Sequence, residues 1–172
     1  KTGEDVRSKG SGNIGATNVL RTTGRAVAVA TLLLDIAKGF FAVWLTARLT
    51  DDSVGWTSLA ALAVMAGHAF PVFLKFRGGK AVASFIGAFL YLTPIPLLAT
   101  LVVFVIVVAA TGHISMGSII AAASLPLATW LILHPPGSVI LATLIAGAFV
   151  VVRHRANIQR LRAGKEHVFR FR

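Results

Sequence analysis

AVAVATLLLDIAKGFFAVWLTARL, residues 26–49, decides the fold class, because only Asp35, Lys38 and Arg48 interrupt its apolar run. A helix that crosses the hydrocarbon core of a bilayer takes about 20 apolar residues, and a helix apolar on all sides needs an apolar surround. Five more apolar segments follow, at residues 56–74, 81–92, 96–110, 118–133 and 138–152. Segment 81–92 is short for a span and the last three are marginal. Flanking polar residues complete them, or 81–92 is a half-helix buried among the others. The expectation is an all-α polytopic membrane protein with about six transmembrane helices, forming a single membrane domain over residues 1–172. Residues 93–96 (TPIP) and 134–137 (HPPG) read as turns, and Pro126 should kink the fifth helix.

Composition agrees. Of 172 residues 56% are hydrophobic and 13% charged, whereas a soluble domain carries about 25% charged residues. The net charge of +11 does not indicate nucleic acid, which needs a soluble scaffold with a continuous basic stripe. Cysteine is absent, which excludes disulfides and thiolate metal sites. The opening KTGED, residues 1–5, has no apolar core and is no signal peptide, and the lack of an initiator Met suggests that a segment lies upstream.

Charge sets the orientation. Lys9, Arg21 and Arg25 precede the first span, Lys75, Arg77 and Lys80 lie between the second and third, and Arg153, Arg155, Arg160, Arg162, Lys165, Arg170 and Arg172 follow the last. The alternate connections carry Asp51 and Asp52, then no charge at 93–96 or 134–137. Lys and Arg remain cytoplasmic, so both ends and all three basic clusters are expected on the cytoplasmic side.

The first cluster is KGSGNIGATNVLR, residues 9–21. It contains G-x-G-x-x-G, with Asp35 twenty residues beyond Gly15. It is no dinucleotide fingerprint, since no strand precedes it and Asp35 sits in a membrane helix. What remains is a glycine-rich loop able to turn backbone N–H groups toward an anion, with Ser11, Thr17, Asn18, Arg21 and Arg25 at hand. A merely flexible loop is the competing reading. The second cluster, GHAFPVFLKFRGGKAVAS at residues 67–84, is more specific. Arg77-Gly78-Gly79-Lys80 is expected to open a helix, where free amides, the positive dipole end and two cations meet. A topogenic turn explains its charges but not its paired glycines. His68 is either a ligand contact or a satisfied buried imidazole. In the third cluster, residues 153–166, His154 and Asn157 are three apart and share a face if the helix continues. Histidine is the side chain most easily tuned for proton transfer near neutrality, and Glu166 should neutralise a neighbouring arginine. Arg170 and Arg172 read as an interfacial basic tail. Asp35 and Lys38, three apart, can pair within the membrane, for function or packing.

These residues resemble the PlsY family of acyl-phosphate:glycerol-3-phosphate acyltransferases. The match rests on GSGNIGATN at 10–18, on residues 67–80, and on HRANI at 154–158 through GKE at 164–166, and it runs along nearly the whole chain. The resemblance implies seven spans, the first missing before Lys1, and acyl transfer to the 1-hydroxyl of glycerol-3-phosphate without a covalent acyl-enzyme. Its substrates would be glycerol-3-phosphate and acyl phosphate, and its products lysophosphatidic acid and inorganic phosphate. It implies a catalytic set of Ser11, Arg21, Lys80, His154 and Asn157. It further implies substrate contacts from Gly12, Asn13, Thr17, Asn18, Arg25, His68, Arg77, Gly78, Gly79 and Ser118, with Glu166 structural and no metal or cofactor. A monomer in the bacterial inner membrane, surrounded by lipid and with its site on the cytoplasmic side, is expected.

The chemistry suits the residues. Two anionic substrates call for cations and oriented donors, and a developing oxyanion calls for preorganised N–H groups. A membrane phosphatase or phosphotransferase would want a nucleophilic His with a carboxylate partner or clustered Asp residues, and acids are scarce at these clusters. The H-x-x-x-x-D acyltransferase signature is also missing. An anion transporter would show inverted repeats and basic residues near the bilayer midplane.

Overall fold

The computed structural model describes residues 5–169, so most of the opening KTGED and the tail residues Arg170 and Arg172 lie outside the described residues. Among the described residues every regular element is helical: α1 (Ala16–Thr22), α2 (Arg25–Leu49), α3 (Val54–Ala69), α4 (Val82–Leu92), α5 (Pro94–Thr111), α6 (Ile114–Leu133), α7 (Gly137–Arg153) and α8 (Arg155–Arg162). Each apolar segment carries one α-helix, with segment 56–74 ending in a short 3-10 turn at Val72–Leu74, which makes this an all-α membrane protein. Four stretches are long and apolar enough to cross a bilayer: Arg25–Leu49, Val54–Leu74, Pro94–Thr111 and Ile114–Leu133. A fifth is formed if α7 and α8, bent by 56° at their junction, are one broken span. Helix α4, at 11 residues, rises only about 16 Å and cannot cross alone.

Two compact units divide the chain, Lys1–Tyr91 and Leu92–Arg172. In the first, α2 packs on α1 and α3. Helices α2 and α4 meet through two glycines. A Cβ at Gly39 would overlap the Ser84 carbonyl oxygen, and one at Gly87 the Ile36 carbonyl oxygen. Small residues let membrane helices approach to backbone contact, which is the source of packing energy where lipid removes the hydrophobic drive. The unit is apolar outside: Leu34 is 70% and Leu49 75% exposed, while His68, Ser84, Thr57 and Ser58 are buried.

In the second unit α6 packs against α5 and α7. Gly117 faces Phe104 and Val108 on α5. Residues 134–136 form the expected turn between α6 and α7, but the first proline turn differs from the expectation. The 93–96 turn shrinks to Thr93 alone, because α5 starts at Pro94, where a proline needs no N–H partner. Pro126 lies inside α6, which continues through it. Having no N–H, Pro126 leaves the Ala122 carbonyl without its helical donor. Helix α7 closes on that spot, and a Cβ at Gly147 would sit 2.6 Å from the Ala122 oxygen.

Candidate functional site

The glycine-rich loop before α1 is organised by Asn18. Its side chain is buried and its amide donates to the carbonyls of Val6 at 3.0 Å, Lys9 at 3.1 Å and Asn13 at 2.8 Å. Its carbonyl oxygen accepts the Ser11 N–H at 2.8 Å. Gly10 and Gly12 have φ of 59° and 69°, the left-handed region that favours glycine, and a Cβ at Gly10 would overlap Asn18 Oδ1. Asn13 Oδ1 accepts the Gly15 N–H at 2.8 Å, just where α1 starts. Asn18 and Asn13 are therefore engaged in shaping the loop. The Ser11, Arg21 and Arg25 residues are exposed and Thr17 is half-buried.

The segment between α3 and α4 differs from the helix-opening expectation. Helix α4 begins at Val82, after a left-handed Ala81 with φ 62°. The Gly78 and Gly79 N–H groups turn back to α3, donating to the carbonyls of Ala69 at 3.1 Å and His68 at 3.2 Å. They cap the end of α3, whose last carbonyls would otherwise lack donors. The paired glycines have a steric reason too. A Cβ at Gly78 would overlap the His68 carbonyl oxygen, and one at Gly79 the His68 ring at Nε2. Lys75, Phe76 and Ala81 all take positive φ without being glycine, a strained backbone of the kind that clusters at functional sites. Arg77 is exposed, Lys80 half-buried.

Behind this loop lies an intramembrane polar cluster. Lys38 Nζ donates to Asp35 Oδ1 at 2.7 Å and lies 3.1 Å from His68 Nδ1. Ser84 Oγ lies 3.2 Å and Asp35 Oδ1 3.4 Å from the same nitrogen. Asp35 and Lys38 do pair. Ser84 on α4 has no prior signal beyond its polarity in an apolar helix.

In the second unit the expected continuous helix breaks. His154 ends α7 and starts α8, its N–H bonding the carbonyls of Val150 and Val151 and its carbonyl accepting from Ile158. Its Nδ1 lies 2.8 Å from the Val150 carbonyl oxygen. Asn157, one turn into the new direction, donates to Glu166 Oε1 at 2.6 Å. Ser115 Oγ donates to the same oxygen at 3.0 Å and Arg160 Nε to Oε2 at 2.7 Å. The Glu166 side chain is only 5% exposed. Burial pushes its carboxyl upward, but the bonds from Asn157, Arg160 and Ser115 outweigh burial and hold it below the usual carboxylate range. Ser118 bonds the Ile114 carbonyl of its own helix at 2.9 Å. Its neighbour Ser115, one turn earlier, was not expected at the site. The only signal for it was a serine three residues before Ser118, on the same helix face.

Residues 1–164 match the family model described as glycerol-3-phosphate acyltransferase. The glycerol-3-phosphate acyltransferase of Geobacter sulfurreducens is 46% identical over 98% of this chain and 86% of its own length. That of Gloeobacter violaceus is 46% identical over 94% and 80%. A crystal structure of PlsY, an integral membrane glycerol 3-phosphate acyltransferase in its glycerol 3-phosphate form, superposes with a TM-score of 0.92 at 34% identity, covering 98% of this chain and 84% of that one. The lysophosphatidic acid form gives 0.87 at 34% identity, covering 93% and 81%.

Proposed function

The chain belongs to the glycerol-3-phosphate acyltransferase family, and we propose that it transfers the acyl group of an acyl phosphate to the 1-hydroxyl of glycerol-3-phosphate. The hydroxyl oxygen attacks the acyl carbonyl carbon, the carbon–oxygen bond to phosphate breaks, and lysophosphatidic acid and inorganic phosphate leave. Phosphate is a good leaving group, so no acyl-enzyme is needed. The hydroxyl proton passes to the phosphate of the bound glycerol-3-phosphate or to His154.

The observation that carries this reading is the pairing of a relative 46% identical along nearly the whole chain with basic loops held by buried polar anchors. Asn18 shapes the loop that presents Ser11, with Arg21 following on α1. His68 backs the loop that leads to Lys80. Glu166 fixes Asn157. Roles follow by motif position: Ser11, Arg21 and Lys80 hold phosphoryl oxygens, and His154 and Asn157 orient glycerol-3-phosphate. Arg77 and Arg25 add positive field, and Gly12 and Thr17 complete the first loop. Acyl phosphate, rather than acyl-CoA, is favoured by size. The polar connections are short, and a nucleotide–pantetheine group needs an extramembrane surface to grip it. The charge asymmetry supports a cytoplasmic setting for the basic loops of a protein proposed to act as a monomer in a bacterial inner membrane.

Palmitoyl phosphate, palmitoyl-CoA and palmitoyl-carrier protein, each offered with glycerol-3-phosphate to the purified protein, test the donor. Lysophosphatidic acid should form from the first alone. Comparable rates with either thioester would overturn the donor assignment.

A further inference from the structure

Asp35, Lys38 and Ser84 play no part in the scheme above, yet all three gather at one nitrogen of His68. An ammonium group donates and never accepts. Lys38 Nζ, 3.1 Å from Nδ1, is nearer than the Asp35 oxygen at 3.4 Å, and this favours the tautomer in which Nδ1 accepts. Ser84 Oγ at 3.2 Å, fully buried, is placed to donate to the same atom. Asp35 accepts from Lys38 at 2.7 Å and, at 3.4 Å from Nδ1, serves to aim the ammonium. The ring proton then belongs on Nε2. That atom faces Gly79, where a Cβ would overlap it, and the Gly79 N–H bonds the His68 carbonyl. Ring and backbone of His68 thus both bear on the residue preceding Lys80.

We propose that Asp35, Lys38 and Ser84 hold His68 as the Nε2–H tautomer, and that His68 in this state is a positioning residue that sets Gly79 and, through it, Lys80. A charged pair inside a membrane helix is costly unless protein partners or a function retain it, and this cluster supplies both. The catalytic part of the inference rests on the acyltransferase reading; the tautomer part does not.

The ring state is read by 15N chemical shifts of histidine-labelled protein in micelles, with His68 assigned among five histidines by its disappearance in His68→Gln. Wild type should show Nε2 protonated and Nδ1 bare near neutral pH. Lys38→Met and Ser84→Ala should each shift population toward the Nδ1–H form. In turnover, Lys38→Met and His68→Gln should each lower kcat/KM roughly tenfold. Neither should add to the loss in Lys80→Ala, because they act through that side chain. Asp35→Asn provides the same comparison if one variant fails to remain monodisperse. A His68 ring protonated on Nδ1 or on both nitrogens, or losses that multiply with that of Lys80→Ala, would overturn the proposal. Wild-type protein inactive on acyl phosphate would instead sink the acyltransferase reading and leave the tautomer result standing.

Discussion

Glu166 offers the sharpest test of the second unit, because three donors, one on α6 and two on α8, depend on one carboxylate. In Glu166→Gln the remaining carbonyl oxygen can still accept from Ser115 and Asn157, but the new amide faces Arg160 Nε–H donor to donor. A charge-assisted hydrogen bond contributes about 1.5–3 kcal/mol. Arg160 is 34% exposed, so solvent compensation favours the low end, about 1.5 kcal/mol. For a chain of this size that is a fall of roughly 3–6 °C in melting temperature. In Glu166→Ala the buried Ser115 and Asn157 lose the hydrogen bonds that Glu166 accepts from them. A hydrogen bond to a charged group contributes about 1.5–3 kcal/mol, so the Ala variant should lose about 3–6 kcal/mol in all and melt well below the Gln variant. Asn157 would also lose its fixed orientation, so turnover should fall with stability.

The pH dependence follows from the sign of the shift. The folded carboxyl titrates below its unfolded value of 4.5, so its stabilisation is fully present above that pH and fades as pH falls through the folded value. The melting-temperature gap between wild type and Glu166→Gln should stay constant from pH 8 to about 5 and close only in more acidic buffer. The assay is thermal unfolding in detergent micelles, followed by tryptophan fluorescence. A Glu166→Ala melting temperature equal to that of wild type at pH 7, or a gap that does not close in acid, would refute the argument.

Three further outcomes are expected. Lys80→Ala and Arg21→Ala should each cut turnover more than about tenfold with folding intact, each removing a charge-assisted contact to an anion; near wild-type kinetics in both would make the clusters topogenic only. In this cysteine-free chain, single cysteines at Asp52 and Lys75 should react with impermeant maleimide from opposite sides of oriented vesicles, and labelling from one side would void the topology. Gly39→Leu should abolish the close α2–α4 approach, seen as loss of the monodisperse peak, whereas Gly55→Leu, where a Cβ meets open space, should leave it unchanged.

Apolar length and proline placement made the helices legible, and their errors have physical reasons. The 93–96 turn was drawn too long because Pro94 can occupy the first turn of a helix as readily as the loop before it. The break at His154 was hidden because residues 153–162 contain no glycine or proline to announce it.

The functional clusters were legible as clusters, but the division of labour within them was not. Gly78 and Gly79 looked like phosphate ligands; their amides close the end of α3 and their missing Cβ atoms make room for His68. Asn18 looked like a ligand contact and is the buried staple of its loop. Glycine and asparagine signal close backbone approach equally well whether the thing approached is a ligand or the chain itself. Exposed cations do not share this ambiguity, since a chain with six acids against seventeen Lys and Arg residues has few internal partners to offer them. Arg21 and Arg77, both exposed, are thus better evidence for an anionic substrate than the glycines beside them. The glycines and Asn18 explain instead how the backbone beside those cations is fixed.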